Sequence, residues 1–290
     1  MRPAIDFRAA DSVAEACALL LEDPQARVIT GGTALAILIR QGLVRPSCLI
    51  GLGHLSDLRQ IDAAEWLHLG ASVRLRTAER HPGITQCWPV VAETLGRVAT
   101  PRIRNMATIG GGLAHADPAQ DPPATFVALE AQVRTAGPDG ERLIPAADFF
   151  VDYYETALRR AEIVVGVDIP PLPPGSGAAF EKFTPRSVED YATVSACAVV
   201  QLDAAGAVRD ARLVLGAAGV TPVVVPVAET FRGRQFDEPA VREAAEQARS
   251  VVDPIDDVRG SADYKRDMAV VFGRRALTRA AARARHAISG

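Results

Sequence analysis

Residues 108–122, TIGGGLAHADPAQDP, decide how the fold and function of this chain are interpreted. Three consecutive glycines, Gly110, Gly111 and Gly112, remove the Cβ atoms that would keep backbone N–H groups away from a ligand. The carboxylate of Asp121 follows ten residues after Gly111. It cannot bind the same phosphate because like charges repel, but it can accept hydrogen bonds from sugar hydroxyls. The stretch therefore predicts a loop that holds a nucleotide, with amides for the phosphate and Asp121 for the ribose.

A second glycine turn lies earlier in the chain, at residues 30–35, TGGTAL. It follows the β-branched pair Val28 and Ile29 and precedes an apolar, helix-like run. A strand, a tight glycine turn and a helix in this order direct amide groups at an anion. Neither segment has the Rossmann or the Walker spacing. Taken alone, each is as typical of a plain turn, and only the pair is specific.

The two segments together resemble the FAD-binding medium subunit of the molybdenum hydroxylases, the xanthine dehydrogenase and carbon monoxide dehydrogenase group. In that family a loop similar to Ala-Gly-Gly-x-Ser/Thr-x-Leu is followed by Thr-Ile-Gly-Gly-Asn-Leu-Ala-x-Ala-Asp-Pro-x-x-Asp. The resemblance extends over nearly the whole chain and includes Arg104 and Asn105 before the second motif. The chain departs from the pattern at Gly112, where the family usually has Asn, at residues 36–37 and at Gly51.

The resemblance implies an α+β fold: a two-subdomain FAD-binding domain of the PCMH type, then a small C-terminal domain of antiparallel sheet plus helices. We place the first domain at residues 1–172, with subdomains at about 1–55 and 56–172, and the second at 173–290. The implied cofactor-binding residues are Thr30, Gly31, Gly32, Thr33, Ala34, Leu35, Thr108, Ile109, Gly110, Gly111, Gly112, His115, Asp117, Asp121, Ile163, Lys182 and Tyr191.

The same resemblance implies non-covalent FAD and a multi-subunit oxidoreductase. Partner chains would carry the [2Fe-2S] clusters, on a small subunit, and the molybdopterin cofactor, on a large one, as a dimer of heterotrimers. Electrons would pass from the iron–sulfur centres through FAD to an external acceptor. The substrate of such an enzyme is determined by the large subunit.

Composition limits the possible classes. The chain has 290 residues, 48% of them hydrophobic, which suffices for a sizeable core and two domains. Its net charge of −3 argues against nucleic acid as a partner. There is no apolar run of membrane-spanning length and no apolar signal core at the N-terminus, so we expect a cytoplasmic protein.

The four cysteines, Cys17, Cys48, Cys87 and Cys197, are far apart and form no Cys-x-x-Cys pair. Iron–sulfur clusters and structural zinc sites need closely spaced ligands. We therefore expect buried, reduced cysteines and no metal site, with any iron–sulfur centre on another chain.

Periodicity places the remaining elements. A strand is predicted at residues 27–30 and a helix at 34–40, with strands at 48–50, 66–69, 132–135 and 163–169 and a helix at 89–98. The proline- and glycine-rich segment 170–177 marks the domain boundary. Beyond it, antiparallel strands are predicted at 179–183, 194–202 and 211–215, followed by helices at 239–251 and from 261 to about 286.

Residues 182–192, KFTPRSVEDYA, resemble the family segment that lies over the flavin. Lys182 or Arg186 would stabilise negative charge on a reduced flavin, and Tyr191 would cover one ring face. The competing interpretation of this segment is a surface turn with ordinary ion pairs. For Arg102 and Arg104 a solvated surface position competes with a role near the flavin or the partner chain. Two functional alternatives stay open: a self-sufficient FAD-dependent oxidoreductase acting on its own small substrate, and a scaffold that has lost the flavin.

Overall fold

The computed structural model describes residues 5–232 and 234–289. The strands are β1 Asp6–Ala9, β2 Arg27–Ile29, β3 Cys48–Gly51, β4 Ile61–Ala63, β5 Leu67–Gly70, β6 Gln132–Gly137, β7 Gly140–Pro145, β8 Phe150–Asp152, β9 Glu155–Thr156, β10 Ile163–Ile169, β11 Ser176–Phe183, β12 Val194–Leu202, β13 Val208–Gly216 and β14 Val223–Val225. The helices are α1 Val13–Glu22, α2 Leu35–Gln41, α3 Leu75–Glu79, α4 Pro82–Cys87, α5 Pro89–Gly96, α6 Pro101–Arg104, α7 Ile109–His115, α8 Asp121–Ala128, α9 Ala146–Phe149, α10 Ala228–Phe231, α11 Glu238–Glu246, α12 Ala248–Val251 and α13 Ala262–Ser289.

The N-terminal segment forms a three-stranded parallel sheet in the order β1-β3-β2. Parallel neighbours need crossover connections, and α1 and α2 provide them. Ser12 caps α1 by accepting a hydrogen bond from the Glu15 amide. The crossover through α2 places the first glycine turn at the end of β2, as the sequence predicts.

A five-stranded antiparallel sheet in the order β4-β5-β10-β6-β7 forms the second layer. All seven residues of β10 are buried, which explains its β-branched run. Trp88, between α4 and α5, is buried and donates from its indole nitrogen to the Pro170 carbonyl at 3.0 Å. This bond fixes the end of β10, where the chain leaves the sheet.

The C-terminal part is a four-stranded antiparallel sheet, β11-β12-β13-β14, with α13 packed across β11 and β12. An ideal Cβ on Gly177 would lie 2.2 Å from the Ala280 carbonyl oxygen, so this helix approaches the sheet backbone closely. The antiparallel strands and the long helix confirm the predicted fold class.

The two sheets that flank residues 170–175 share one hydrophobic core. Alternate residues of β11 face opposite ways: Ala178 and Phe180 join the core of the five-stranded sheet, while Ala179 packs beneath α13. Ion pairs reinforce this contact, since Arg283 of α13 lies 3.0 Å from Glu93 of α5. The C-terminal sheet therefore has two buried faces, one on α13 and one on the core of the five-stranded sheet.

Three local predictions are wrong. Residues 109–115 form helix α7 and not a loop. Cys87 is exposed, whereas Cys17, Cys48 and Cys197 are buried as expected. Arg104 is buried rather than solvated, because its guanidinium pairs with Glu79 at 2.9 Å and donates to the carbonyls of Val98 and Ala99.

Candidate functional site

The two glycine segments meet in the fold. The hydroxyls of Thr30 and Thr108 lie 2.7 Å apart and share a hydrogen bond. An ideal Cβ on Gly31 would lie 2.1 Å from the carbonyl oxygen of Met106, a distance that no side chain tolerates. Gly31 is thus required by the packing of one segment on the other. The two segments together form one structure, the glycine junction, at the end of β2 and the start of α7.

The first segment offers unused donors. The amides of Gly31, Gly32, Thr33 and Ala34 have no hydrogen-bond acceptor among residues 5–232 and 234–289. Gly32 has a φ of +69°, the left-handed region that favours glycine, and its carbonyl accepts from the Ala36 amide at 3.0 Å to start α2. Four consecutive free amides next to a helix start are suited to an anion such as a pyrophosphate.

The second segment has its donors engaged within the protein. Ile109 donates to the Val73 carbonyl at 3.0 Å and Gly110 to the Ala71 carbonyl at 2.8 Å. Thr108 caps α7 by accepting from the Gly111 amide at 3.3 Å. These bonds explain why the glycines form a helical turn rather than the predicted loop, and they leave the free amides on the first segment.

Gly110 and Gly112 have packing roles. An ideal Cβ on Gly110 would lie 2.5 Å from the Cβ of Ala71, so glycine lets α7 approach the end of β5. At Gly112 the corresponding Cβ would lie 3.0 Å from the side-chain oxygen of Gln120. The Gln120 amide nitrogen also donates to the Gly112 carbonyl at 3.1 Å. The side chain of Gln120 therefore lies against the position at which the resemblance expects Asn.

Asp121 and Lys182 form a buried ion pair between α8 and β11. The Lys182 Nζ lies 2.7 Å from Asp121 Oδ2 and donates to the Arg97 carbonyl at 3.0 Å. Burial raises the pKa of Asp121 to about 6, although the positive charge of Lys182 opposes the shift. The second oxygen, Asp121 Oδ1, is buried and has no hydrogen-bond partner in the described part of the chain.

Aromatic side chains surround the C-terminal end of α7. The ring of Tyr154, at the tip of the β8–β9 hairpin, lies 5.2 Å from the ring of His115, and its hydroxyl donates to Asp117 Oδ2 at 3.4 Å. Burial raises the pKa of Tyr191, and the negative charge of Asp117 raises it further. Arg259 lies 5.9 Å from the Tyr191 ring centroid.

The structure thus brings His115, Asp117 and Tyr191, three of the expected cofactor-binding residues, to one place and adds Tyr154. Tyr154 is not among the site residues expected from the sequence. Its available signal was the Tyr153-Tyr154 pair between two short strands. Burial lowers the pKa of His115, so this imidazole is neutral near pH 7.

Ile163 does not join this group. It is 4% exposed and packs in the core beneath the N-terminal parallel sheet, with Cys17 and Val165. Within residues 5–232 and 234–289 there is also no cluster of three or more His, Cys, Asp or Glu side chains that could hold a metal ion. The predicted site residues therefore divide into the glycine junction, the buried pair and the aromatic group, with Ile163 apart.

Two family descriptions match the chain: "FAD binding domain in molybdopterin dehydrogenase" over residues 3–172, and "CO dehydrogenase flavoprotein C-terminal domain" over residues 178–280. The chain belongs to this family of molybdopterin-dehydrogenase flavoproteins. The resemblance found in the two glycine motifs is confirmed.

Relatives of the family match over nearly their whole length. The chain is 34% identical to the carbon monoxide dehydrogenase medium chain of Hydrogenophaga pseudoflava, covering 97% of this chain and 98% of that protein. It is also 34% identical to the 6-hydroxypseudooxynicotine dehydrogenase complex subunit alpha of Paenarthrobacter nicotinovorans, over 98% and 96%.

Solved structures of related oxidoreductase chains have the same fold as this chain. A carbon monoxide dehydrogenase from Hydrogenophaga pseudoflava aligns with a TM-score of 0.93 at 34% identity, covering 98% of this chain and 99% of that chain. Quinoline 2-oxidoreductase from Pseudomonas putida 86 aligns with a TM-score of 0.91 at 32% identity, with 99% of both chains covered. The chain is therefore the FAD-binding flavoprotein component of an oxidoreductase of the molybdenum hydroxylase family.

Among the described residues no helix is long and apolar enough to cross a membrane.

Proposed function

We propose that the chain binds FAD non-covalently at the glycine junction and conducts electrons from iron–sulfur centres of a partner subunit to an external acceptor. A large molybdopterin subunit oxidises the substrate in this scheme. The proposed assembly is a dimer of heterotrimers in the cytoplasm. The observation that carries the cofactor assignment is the run of four free amides at Gly31 to Ala34, beside a junction sealed by Thr30 and Thr108.

The residues present fit this cofactor. The amides of the first segment would hold the pyrophosphate, and no internal hydrogen bond would have to break, because these amides have no acceptor among the described residues. Asp121 Oδ1, buried and without a partner among the described residues, would accept a hydrogen bond from the ribose. Lys182 keeps this carboxylate in place by pairing with its other oxygen. When bound, FAD supplies the redox chemistry that accepts and releases electrons.

The aromatic group has the other role in the proposal. Tyr191, 49% exposed, would cover one face of the flavin ring and limit the access of water. Tyr154 and His115 would hold Asp117 and the end of α7 in position beside it. In this proposal these side chains position the cofactor, and substrate oxidation belongs to the partner subunit.

An anaerobic titration tests the proposal. Candidate substrates are added first to the isolated flavin-loaded chain and then to the assembled complex, and flavin absorbance is followed. We expect no bleaching in the isolated chain and bleaching in the complex. Acid precipitation of the protein should release the flavin into the supernatant.

Bleaching of the isolated chain by an organic substrate would favour the self-sufficient oxidoreductase instead. Flavin that stays with the precipitate would contradict the non-covalent assignment.

A further inference from the structure

A strongly cationic surface borders the glycine junction. Residues 74–80 and 97–106 contain six arginines and one acidic residue, Glu79, in a chain whose net charge is −3. These residues belong to α3, to α6 and to the segments that flank them. Because α3 packs against both α5 and α6, the positive charges are gathered on one side of the molecule.

Both carboxylate oxygens of the acidic residue, Glu79, form ion pairs within the cluster. Glu79 pairs with Arg76 at 2.6 Å and with Arg104 at 2.9 Å, which ties α3 to α6. The guanidinium groups of Arg74, Arg80 and Arg102 have no carboxylate partner among residues 5–232 and 234–289. All three residues are exposed. The surface therefore carries positive charge that the chain itself leaves uncompensated.

Exposed apolar side chains lie among these arginines. Met106 is 59% exposed and Ile103 is 38% exposed. Methionine and arginine are enriched at the cores of protein–protein interfaces, whereas a site for a bare phosphate has no use for apolar side chains. This composition favours a protein partner over a small anion.

The surface is continuous with the cofactor junction. Arg74 forms a backbone bridge with Thr108, and the Leu75 amide donates to the Ala107 carbonyl at 2.9 Å. The carbonyl of Met106 packs directly over Gly31. A partner seated on Ile103 and Met106 would thus lie beside the residues proposed to hold the FAD pyrophosphate. The seven-residue helix α7 separates this position from the aromatic group proposed to cover the flavin ring.

We propose that Arg74, Arg102, Ile103 and Met106 form the docking surface for an acidic face of the electron-donating iron–sulfur subunit. This inference rests on the proposed function, because that function supplies the partner. Opposite charges accelerate encounter and set the register of docking, so the arginines act chiefly on the association rate and its dependence on salt.

The test is a charge reversal in the full-length chain. The variant Arg74→Glu/Arg102→Glu is compared with the control Arg45→Glu/Arg209→Glu, which reverses two exposed arginines outside this surface. The probe is the iron–sulfur subunit produced together with this chain. Association rate and Kd are measured between low and moderate salt, and FAD content is read from the absorbance of each purified variant.

We expect the test variant to bind the iron–sulfur subunit about tenfold or more weakly, with a flattened salt dependence, while its FAD content equals that of the wild type. The control variant should bind as the wild type does. Met106→Asp, which leaves the backbone contact with Gly31 unchanged, should also weaken binding.

Equal Kd values for the test and control variants would overturn the docking surface while leaving the proposed function intact. Loss of FAD with retained assembly would assign the arginines to the cofactor phosphates instead. A wild-type chain that holds FAD but does not bind the iron–sulfur subunit would refute the docking surface together with the electron-relay function.

Discussion

Gly31 marks the closest backbone approach between the two glycine segments. The sequence alone suggests that a Cβ here would obstruct the phosphate, but the structure gives a nearer obstacle, the Met106 carbonyl at 2.1 Å. A methyl group would therefore separate the two segments even before a ligand binds, and the four free amides would lose their position.

For Gly31→Ala we expect a loss of about 1–3 kcal/mol in the free energy of unfolding of the apoprotein, together with reduced FAD content. Thermal or urea unfolding measures the first and flavin absorbance the second. Gly53→Ala is the matched control, since the nearest atom to its ideal Cβ is the Thr30 carbonyl oxygen at 3.9 Å. An unchanged unfolding midpoint for Gly31→Ala would show that the two glycine segments can move apart without a measurable loss of stability.

Protonation of Asp121 affects the stability of the fold, and the same residue is proposed to bind the cofactor. Its pKa in the folded chain is raised to about 6, so the folded state binds a proton more tightly than the unfolded state does. Stability from this group is present at low pH and is lost as the pH rises through about 6. In Asp121→Asn the corresponding slope of unfolding free energy between about pH 4 and 6 should disappear.

The same variant should bind FAD about five- to tenfold more weakly, because the neutral amide oxygen of Asn accepts a hydrogen bond that is about 1–1.5 kcal/mol weaker than the charge-assisted one. Urea unfolding at several pH values and flavin titration of the apoprotein provide the two measurements. Asp139→Asn, in the β6–β7 turn, is a control for an exposed carboxylate. Unaltered FAD affinity in Asp121→Asn would exclude Asp121 from the ribose site.

At the scale of elements, α7 ends in an unusual way. The residue that caps its C-terminus, Ala116, has a φ of +49°, a left-handed conformation in which glycine is the common residue. Ala116→Gly should raise the free energy of unfolding by about 0.5–1 kcal/mol, because the backbone strain exceeds the value of one buried methyl group. Ala119→Gly, which has no positive φ, should lower it. Equal effects of both substitutions would show that the cap is unstrained.

Elements with a strong pattern were predictable and elements set by tertiary contacts were not. The run at β10 reads as a strand from its β-branched residues alone, and the helix expected from residue 261 forms as α13. Helix α7 is different, because glycine disfavours helices. It forms since the carbonyls of Ala71 and Val73, distant in sequence, accept its first amides.

The site shows the same division. The motifs predict that Thr30 and Thr108 serve one ligand, and the fold joins them at 2.7 Å. The alternation of β11 indicates that Lys182 shares the face of Ala178 and Phe180, but only the structure shows that Asp121 lies opposite it. Pairings between distant elements, such as that of Tyr154 with Asp117, leave no spacing in the sequence to detect.

At the scale of the whole molecule, one hydrophobic core extends across the proline-rich boundary at residues 170–177. Ala178, Phe180, Cys197, Val199 and Val214 of the C-terminal sheet belong to the hydrophobic cluster of the five-stranded sheet. A fragment of residues 1–172 would expose the apolar surface that these side chains cover. We therefore expect the fragment to aggregate or to lack fixed tertiary structure, and to bind no FAD.

Circular dichroism, size-exclusion chromatography and flavin absorbance check this expectation. The control is the full chain cut by a protease at a site inserted near residue 173, whose two pieces should stay associated and keep FAD. A monomeric fragment of residues 1–172 that holds FAD and unfolds cooperatively would contradict the shared core.

The bond between Thr30 and Thr108 also has a consequence for proton arrangement. Two hydroxyls carry two protons, and their mutual bond consumes one of them. The Gly111 amide supplies a further donor to Thr108 but takes up no proton. Whichever threonine donates, one hydroxyl proton stays available to another acceptor, and the direction of the shared bond decides which segment carries it. The two threonines can thus share their hydrogen bond in either direction without moving a heavy atom. A bound anion would favour the direction that leaves the free proton on its own side.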